Sequence, residues 1–436
     1  MKKLREIQVE DLMNRSWIPY VYYFLITAFL HIFGYEMYGD DIAMFAFLKD
    51  SVWDEFFALN DILSGWSSRF MVNPPIHIMM HFDYKVWLFF EIIIFMVLFR
   101  VIIKLTNNEP TVPHLYICAS LMCLVVYLDF DEVGWVVTTM TYVWVAVAGF
   151  CACLTIKKSY DDKKISWYMY PVYLFLTLYA SNKEEVSVMF TIIFAVAVIF
   201  SVIKGKKYIM LMLQFLLSIT NLFIHLFSGN NIERYEIRTS LFTEKHTFFD
   251  KMVIGFTTTL RHIIFEKNFV FFVFCIVLAL VVWFSLKKIV PRILSLVPLV
   301  LWFMTWVPGE IDYLFGSNVT RGPRVIATAV LGVVAVLSVF ICIYYLYGVS
   351  DRTVMLVTVL IAGFAGRCVV GFANSGWQRY ERSYTFLYLV LIMVACALAC
   401  DVWHKLSYRK KQVLFGVIVV LGQLGVSKNI LETGII

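Results

Sequence analysis

The chain has 436 residues, of which 61% are hydrophobic and only 16% charged, with 37 basic against 31 acidic side chains and a formal net charge of +6. A water-soluble chain is about half apolar and about a quarter charged, so the composition excludes a soluble enzyme and places the excess apolar surface against lipid. About 13 helical crossings of about 20 residues each would use roughly 260 residues and leave no room for a large soluble domain.

In chain order, the apolar run from Trp17 has no small-residue cleavage site and predicts a retained first span over 17–35. Residues 36–84 form a long outer segment, in which Trp53, Phe56, Phe57, Leu63 and Trp66 fall on one helical face and predict a helix lying in the membrane interface. Further spans are predicted over 85–105, 113–129, 136–156, 167–181, 186–203 and 208–227. A second outer segment, 228–267, precedes spans over 268–286, 293–308, 325–347, 354–371, 385–403 and 413–430. Under this count every basic cluster falls on one side: Lys2, Lys3, Arg5 and Arg15, then Lys157 to Lys164, Lys204 to Lys207, Lys287 to Arg292, and Lys405 to Lys411. Basic loops stay in the cytoplasm, so the positive charge reports topology and no nucleic-acid partner is expected. The expected product is a multi-pass cell-membrane protein with a cytoplasmic N-terminus. Its nine cysteines lie almost entirely in apolar runs and read as buried or lipid-facing thiols, not as a disulfide framework or a metal site.

The unusual residues gather on the outer side. Gly39-Asp40-Asp41 follows span one, and two adjacent carboxylates at a lipid–water boundary read either as a general base or as a helix cap. Trp66-Ser-Ser-Arg69 reads as a lipid-phosphate ligand or as an interfacial anchor. Thr141-Tyr142-Val-Trp144 offers hydroxyls and aromatic faces of the kind that line sugar sites, although aromatic belts share that composition. Asn182-Lys183-Glu184-Glu185 occupies so tight a turn that its long side chains either form a pocket network or a solvated hairpin. The outer arginines Arg321, Arg324 and Arg382 run against the inside bias and need partners, with a phosphate the chemical match; Arg367 lies deeper and needs one more. Glu91, Gln214, Asn221 and His225 read as formers of hydrogen bonds between helices. No internal repeat and no glycine-rich phosphate loop is visible, which disfavours a nucleotide-driven pump.

One span, a carboxylate pair, a long outer segment with interfacial helices and then many spans with short cytoplasmic loops resembles the GT-C superfamily of membrane glycosyltransferases. The likeness is carried by Asp40-Asp41, Trp66-Ser-Ser-Arg69, Thr141-Tyr142-Val-Trp144, and Asn182 with Glu184-Glu185, although Ser68 stands where the pattern has Gly and Lys183 interrupts the last element. It covers residues 1–227 by motif and 228–436 by general architecture. The resemblance implies an all-α integral membrane fold of about 13 transmembrane helices with interfacial helices in the first outer loop. It further implies a catalytic module over 1–227 and a variable C-terminal module over 228–436. The implied donor is a polyprenyl-phosphate-linked sugar and the acceptor a cell-surface glycan or a lipid-linked molecule, on the extracytoplasmic face. Asp40 or Asp41 would be the base; Arg69, Arg321, Arg324 and Arg382 would hold the donor phosphate; Trp66, Tyr142, Trp144, Asn182, Glu184 and Glu185 would hold sugar or acceptor. No cofactor is expected; metal dependence varies within the superfamily. Two rival readings share the arginines: a transporter or flippase of lipid-linked saccharides, and a polysaccharide polymerase or ligase.

Overall fold

The computed structural model describes residues 15–34, 40–45, 48, 51, 53–54, 68–107, 109–125, 136–228, 247–306, 323–372 and 381–432. Among them the chain is helical, with no strand. The first part runs α1 (Ile18–Gly34), α2 (Asp40–Phe45), α3 (Asn73–Met80), α4 (Tyr84–Thr106), α5 (Val112–Met122), α6 (Val136–Tyr160), α7 (Met169–Ser181), α8 (Glu184–Ile203) and α9 (Ile209–Phe227). The second runs α10 (Phe248–Phe265), α11 (Phe269–Ser285), α12 (Ile289–Met304), α13 (Pro323–Tyr347), α14 (Asp351–Cys368), α15 (Thr385–Trp403) and α16 (Tyr408–Glu432).

Among the described residues eight helices are long and apolar enough to cross a bilayer: α4, α6, α8, α9, α13, α14, α15 and α16. The chain is thus an all-α, multi-pass membrane protein. The apolar helices α1, α5 and α12 are shorter. A helix stands at each expected span, although by length and composition only eight among the described residues, or nine if the bent pair α10 and α11 is one span, could cross a bilayer, fewer than the number expected. One stands where none was expected: residues 248–265, assigned above to the second outer segment, form α10, which meets α11 at a bend of 69°. Asp250, Lys251, Arg261 and His262 dilute its hydropathy, while Ile254, Gly255, Thr259 and Leu260 pack inward. The interfacial helix expected through Trp66 lies mostly outside the described residues; α2 and α3 are the short helices seen in that outer loop.

Local chemistry sets the helix starts. Asp83 accepts the Lys85 N–H (2.9 Å) at the head of α4, and Asn268 accepts the Phe271 N–H (2.9 Å) at the head of α11. Prolines occupy the first turns of α3 and α5, where no intrahelical N–H is lost. Between α13 and α14, Gly348 takes φ +64°, and its N–H returns to Tyr344 O at 2.7 Å.

The core centres on α15, which is buried from Thr385 through Cys400, and on α6. A helix apolar on every side belongs in the interior. Others show one face to lipid, as α1 does through Phe24, Leu25, Ile32 and Phe33.

The basic clusters from Lys157 onward share one end of the bundle. Lys157 donates to the carbonyls of Lys104 and Asn107, and Arg352 reaches Asp401 (2.7 Å) and Thr106 O (2.9 Å). Lys206 pairs with Asp162, Lys204 with Asp351 (3.3 Å), and Lys410 donates to Phe284 O (2.7 Å). At the other end α14 is wedged between α8 and α10 by close backbone contacts. A Cβ on Gly366 would lie 2.7 Å from Glu185 O, and one on Gly255 would lie 1.9 Å from Cys368 O. Gly255→Leu is expected to destabilise the bundle by about 1–3 kcal/mol or more, read as a lower thermal midpoint of the purified protein; an unchanged midpoint would contradict this packing.

Candidate functional site

The far end, opposite the basic clusters, holds a compact charged network. Arg69, just before α3, meets Glu184 at the head of α8: Nε donates to Oε2 (3.0 Å) and Oε1 (3.3 Å), and Nη2 lies 2.9 Å from Oε2. This forked contact is the strong form of an arginine–carboxylate pair. Lys183 bridges both carboxylates, 3.2 Å from Glu184 and 2.6 Å from Glu185, with only 2% of its side chain exposed. Its ammonium also stands 4.8 Å over the Tyr142 ring, a cation–π contact.

Burial opposes charge on Arg69, but Glu184, then Tyr142 and Glu185, more than offset it and push its pKa above the ordinary arginine value. Burial and Arg69 likewise oppose charge on Lys183, and Glu184 and Glu185, with Tyr142, turn the balance upward. Both cations therefore stay charged.

The neighbouring polar residues hold this network in place. Asn182 accepts the Met71 N–H (2.7 Å) and the Val72 N–H (3.4 Å) and donates to Ser68 O (3.4 Å), stapling the segment after Arg69 to the turn between α7 and α8. His225 Nε2 donates to Ser181 O (3.2 Å), since a carbonyl only accepts; Nδ1 then takes the Ser68 hydroxyl at 2.6 Å. Asn221 donates to Ser181 Oγ (2.7 Å) and Gln214 to Thr177 Oγ1 (2.9 Å), the interhelical roles their sequence positions suggested.

Arg69, Tyr142, Asn182, Glu184 and Glu185 are thus brought together. Trp144 points elsewhere: its indole donates to Glu91, and Met140–Trp144 is wound as a π-helical turn. Asp41 is fully buried, and its two oxygens accept the N–H groups of Val136 (3.0 Å) and Val137 (2.9 Å). It caps α6, a helix 95 residues away in sequence, where the sequence had offered a cap of its own neighbourhood. Asp40 opens α2, which packs on α3 and on the head of α6, so both acids belong to the end that holds Arg69. The Asp40 and Arg324 side chains, Trp66 and Arg321 lie outside the described residues. Arg382 is buried before α15, and the ring of Phe386 beyond it lies 5.9 Å from Tyr142.

A second polar cluster, which sequence reading missed, sits at the bend between α10 and α11. His262 Nδ1 is 2.7 Å from Glu266, and its Nε2 is 2.7 Å from the Tyr388 hydroxyl, which also accepts from Asn268 (2.6 Å). Arg367 and His262 stack on Tyr384, each at 3.9 Å. His262 and Glu266 stand at helical spacing, a signal the sequence carried, but Tyr388 lies 126 residues from His262 and only the fold supplies it; the φ of +60° at Lys267 and the π-helical turn Arg261–Phe265 are visible only in the structure.

Compared with known proteins, the chain matches no family model, no curated protein and no solved structure.

Lys183→Met leaves Glu185 an uncompensated buried carboxylate, and the expected loss is about 3–5 kcal/mol. Adding Glu185→Gln is expected to restore more than half of that loss in denaturant unfolding. Equal stability of the single and double variants would contradict the pairing.

Proposed function

We propose that this protein is a polytopic membrane glycosyltransferase of GT-C architecture. It would cross the membrane about 13 times, with its basic end in the cytoplasm and its charged network on the extracytoplasmic side. The observation that carries the reading is the network of Arg69, Lys183, Glu184 and Glu185, largely buried at the end away from the basic clusters, with the acid-bearing α2 docked beside it. A polar site there meets a lipid carrier whose tail lies in the bilayer and whose phosphate lies at headgroup depth.

In this mechanism a carboxylate takes the proton of an acceptor hydroxyl, and that oxygen forms a bond to the anomeric carbon of a polyprenyl-phosphate-linked sugar. The bond from that carbon to the phosphate oxygen breaks, and the electron pair leaves with the lipid phosphate, held by Arg69 and Arg382 with Arg321 and Arg324 as further ligands. A single displacement inverts the anomeric centre. Asp40 is the better base, because Asp41 already accepts two backbone N–H groups. Tyr142, Asn182, Glu184 and Glu185, together with Trp66 and Trp144, would then serve sugar or acceptor; the acceptor would be a surface glycan or a lipid-linked molecule.

One observation favours the transporter or flippase reading: the 69° break between α10 and α11, since discontinuous spans carry the sites of many transporters. Reconstituted protein separates the two, because only a transferase consumes a polyprenyl-phosphate sugar without a second compartment. Asp40→Asn is expected to lower transfer by about 10²–10⁴-fold while the protein still inserts. Undiminished transfer by Asp40→Asn, Asp41→Asn and the double variant would remove the proposal.

A further inference from the structure

Inside the bundle, two helical turns from the head of α4, lies an ionisable group that the proposed transfer does not use. Glu91 is fully buried within α4, one of the helices able to cross the bilayer. Its Oε2 accepts the Trp144 indole N–H from α6, while Oε1 has no hydrogen-bond partner among the described residues. His31 of α1, also buried, places Nε2 4.0 Å from Oε1. The other nitrogen of that ring, Nδ1, is 2.7 Å from Thr27 O, and a carbonyl only accepts, so Nδ1 carries a proton. The Tyr179 hydroxyl of α7, buried and likewise without a partner among the described residues, is close enough to feel the charge of Glu91.

An ionised carboxylate here is a charge in hydrocarbon facing a neutral imidazole, which is costly. One proton on Oε1 removes the charge and gives Nε2 a donor, closing the 4.0 Å gap by a small rotation of the carboxyl group. An amide would meet the same needs permanently, accepting from Trp144 and donating to His31. An acid at this position adds only the capacity to gain and lose a proton.

We propose that Glu91 and His31 form a membrane-embedded proton-binding site, in which one proton is shared between Glu91 Oε1 and His31 Nε2 and exchanges with water at the end of the bundle that holds the charged network. Binding takes a proton from water, forms one O–H bond on Glu91 and raises the charge of the pair by one. Among the described residues the groups that face it include His31 from α1, Trp144 and Thr139 from α6, and Tyr179 from α7. Of the other helices packed on α4, α3 carries His77, while His114 of α5, and Tyr388 and Asp401 of α15, are bonded to Asn107, His262 and Arg352 respectively. Trp144, which bonds Glu91, follows Tyr142, the residue that contacts Lys183, by two positions on α6, so a change of charge on Glu91 is felt at the network. The inference stands whether or not the protein transfers sugar.

Infrared titration of the full chain in liposomes tests it without any sugar substrate. The expected result is a protonated-carboxyl stretch that titrates with pH, is absent from Glu91→Gln, and moves to higher frequency in His31→Phe, where the hydrogen bond to Nε2 is gone. Because Gln copies the protonated acid, Glu91→Gln is expected to fold with an unchanged thermal midpoint. A wild-type spectrum with no such band, a band indifferent to His31, or a Glu91→Gln protein that fails to fold would each overturn the proposal, since each means that Glu91 is held as a permanent anion or is not coupled to His31.

Discussion

Charge inside hydrocarbon must be paired or carried to an end, and this bundle obeys that constraint in two different ways. At one end the cations are many and reach loop carbonyls and scattered acids, as Lys157 reaches Lys104 O and Arg352 reaches Asp401. At the other end, among the described residues, charges are locked together: Lys183, with 2% of its side chain exposed, bridges Glu184 and Glu185. Such a cluster is an indifferent source of stability, since apolar residues of equal volume often do as well. What it does assemble is cations and carboxylates beside the acid-bearing helix α2 at one end of the bundle.

The first outer loop is tied to this cluster from two sides. Asn182 staples the segment carrying Arg69 to the α7–α8 turn, and Asp41 ties α2 to the head of α6. Neither staple is local in sequence, so the network end is a single unit in which the loop, α6 and α8 constrain one another. The wedging of α14 through Gly366 against Glu185 O extends that construction into the second half of the chain.

Much of this was legible in the sequence, and what was not has a physical reason. Apolar runs located a helix at each expected span, because hydropathy is what a bilayer selects, although several of these helices are too short to cross on their own. The tight turn at Asn182-Lys183-Glu184-Glu185 read either as a pocket network or as a solvated hairpin, and the structure shows the network. Its partner Arg69 lies 115 residues away and only the fold supplies it. Helix α10 escaped because the polar residues along it lower its hydropathy, and with it went the i,i+4 pair His262 and Glu266, whose partner Tyr388 lies 126 residues away. Whether a wholly apolar helix such as α15 faces lipid or protein is likewise invisible to composition, as both are apolar surroundings. Tyr142 and Trp144 read alike as sugar-facing aromatics, yet the structure turns them to different partners, Lys183 and Glu91.

The central claim is that the charged network and the basic clusters lie on opposite faces of the membrane. Single cysteines at Asp83, beside the network end of α4, and at Lys164, among the basic clusters, test it directly with a membrane-impermeant thiol reagent on intact cells. The account predicts labelling at position 83 from outside and at position 164 only after the membrane is opened. Labelling of both from the same side would contradict it.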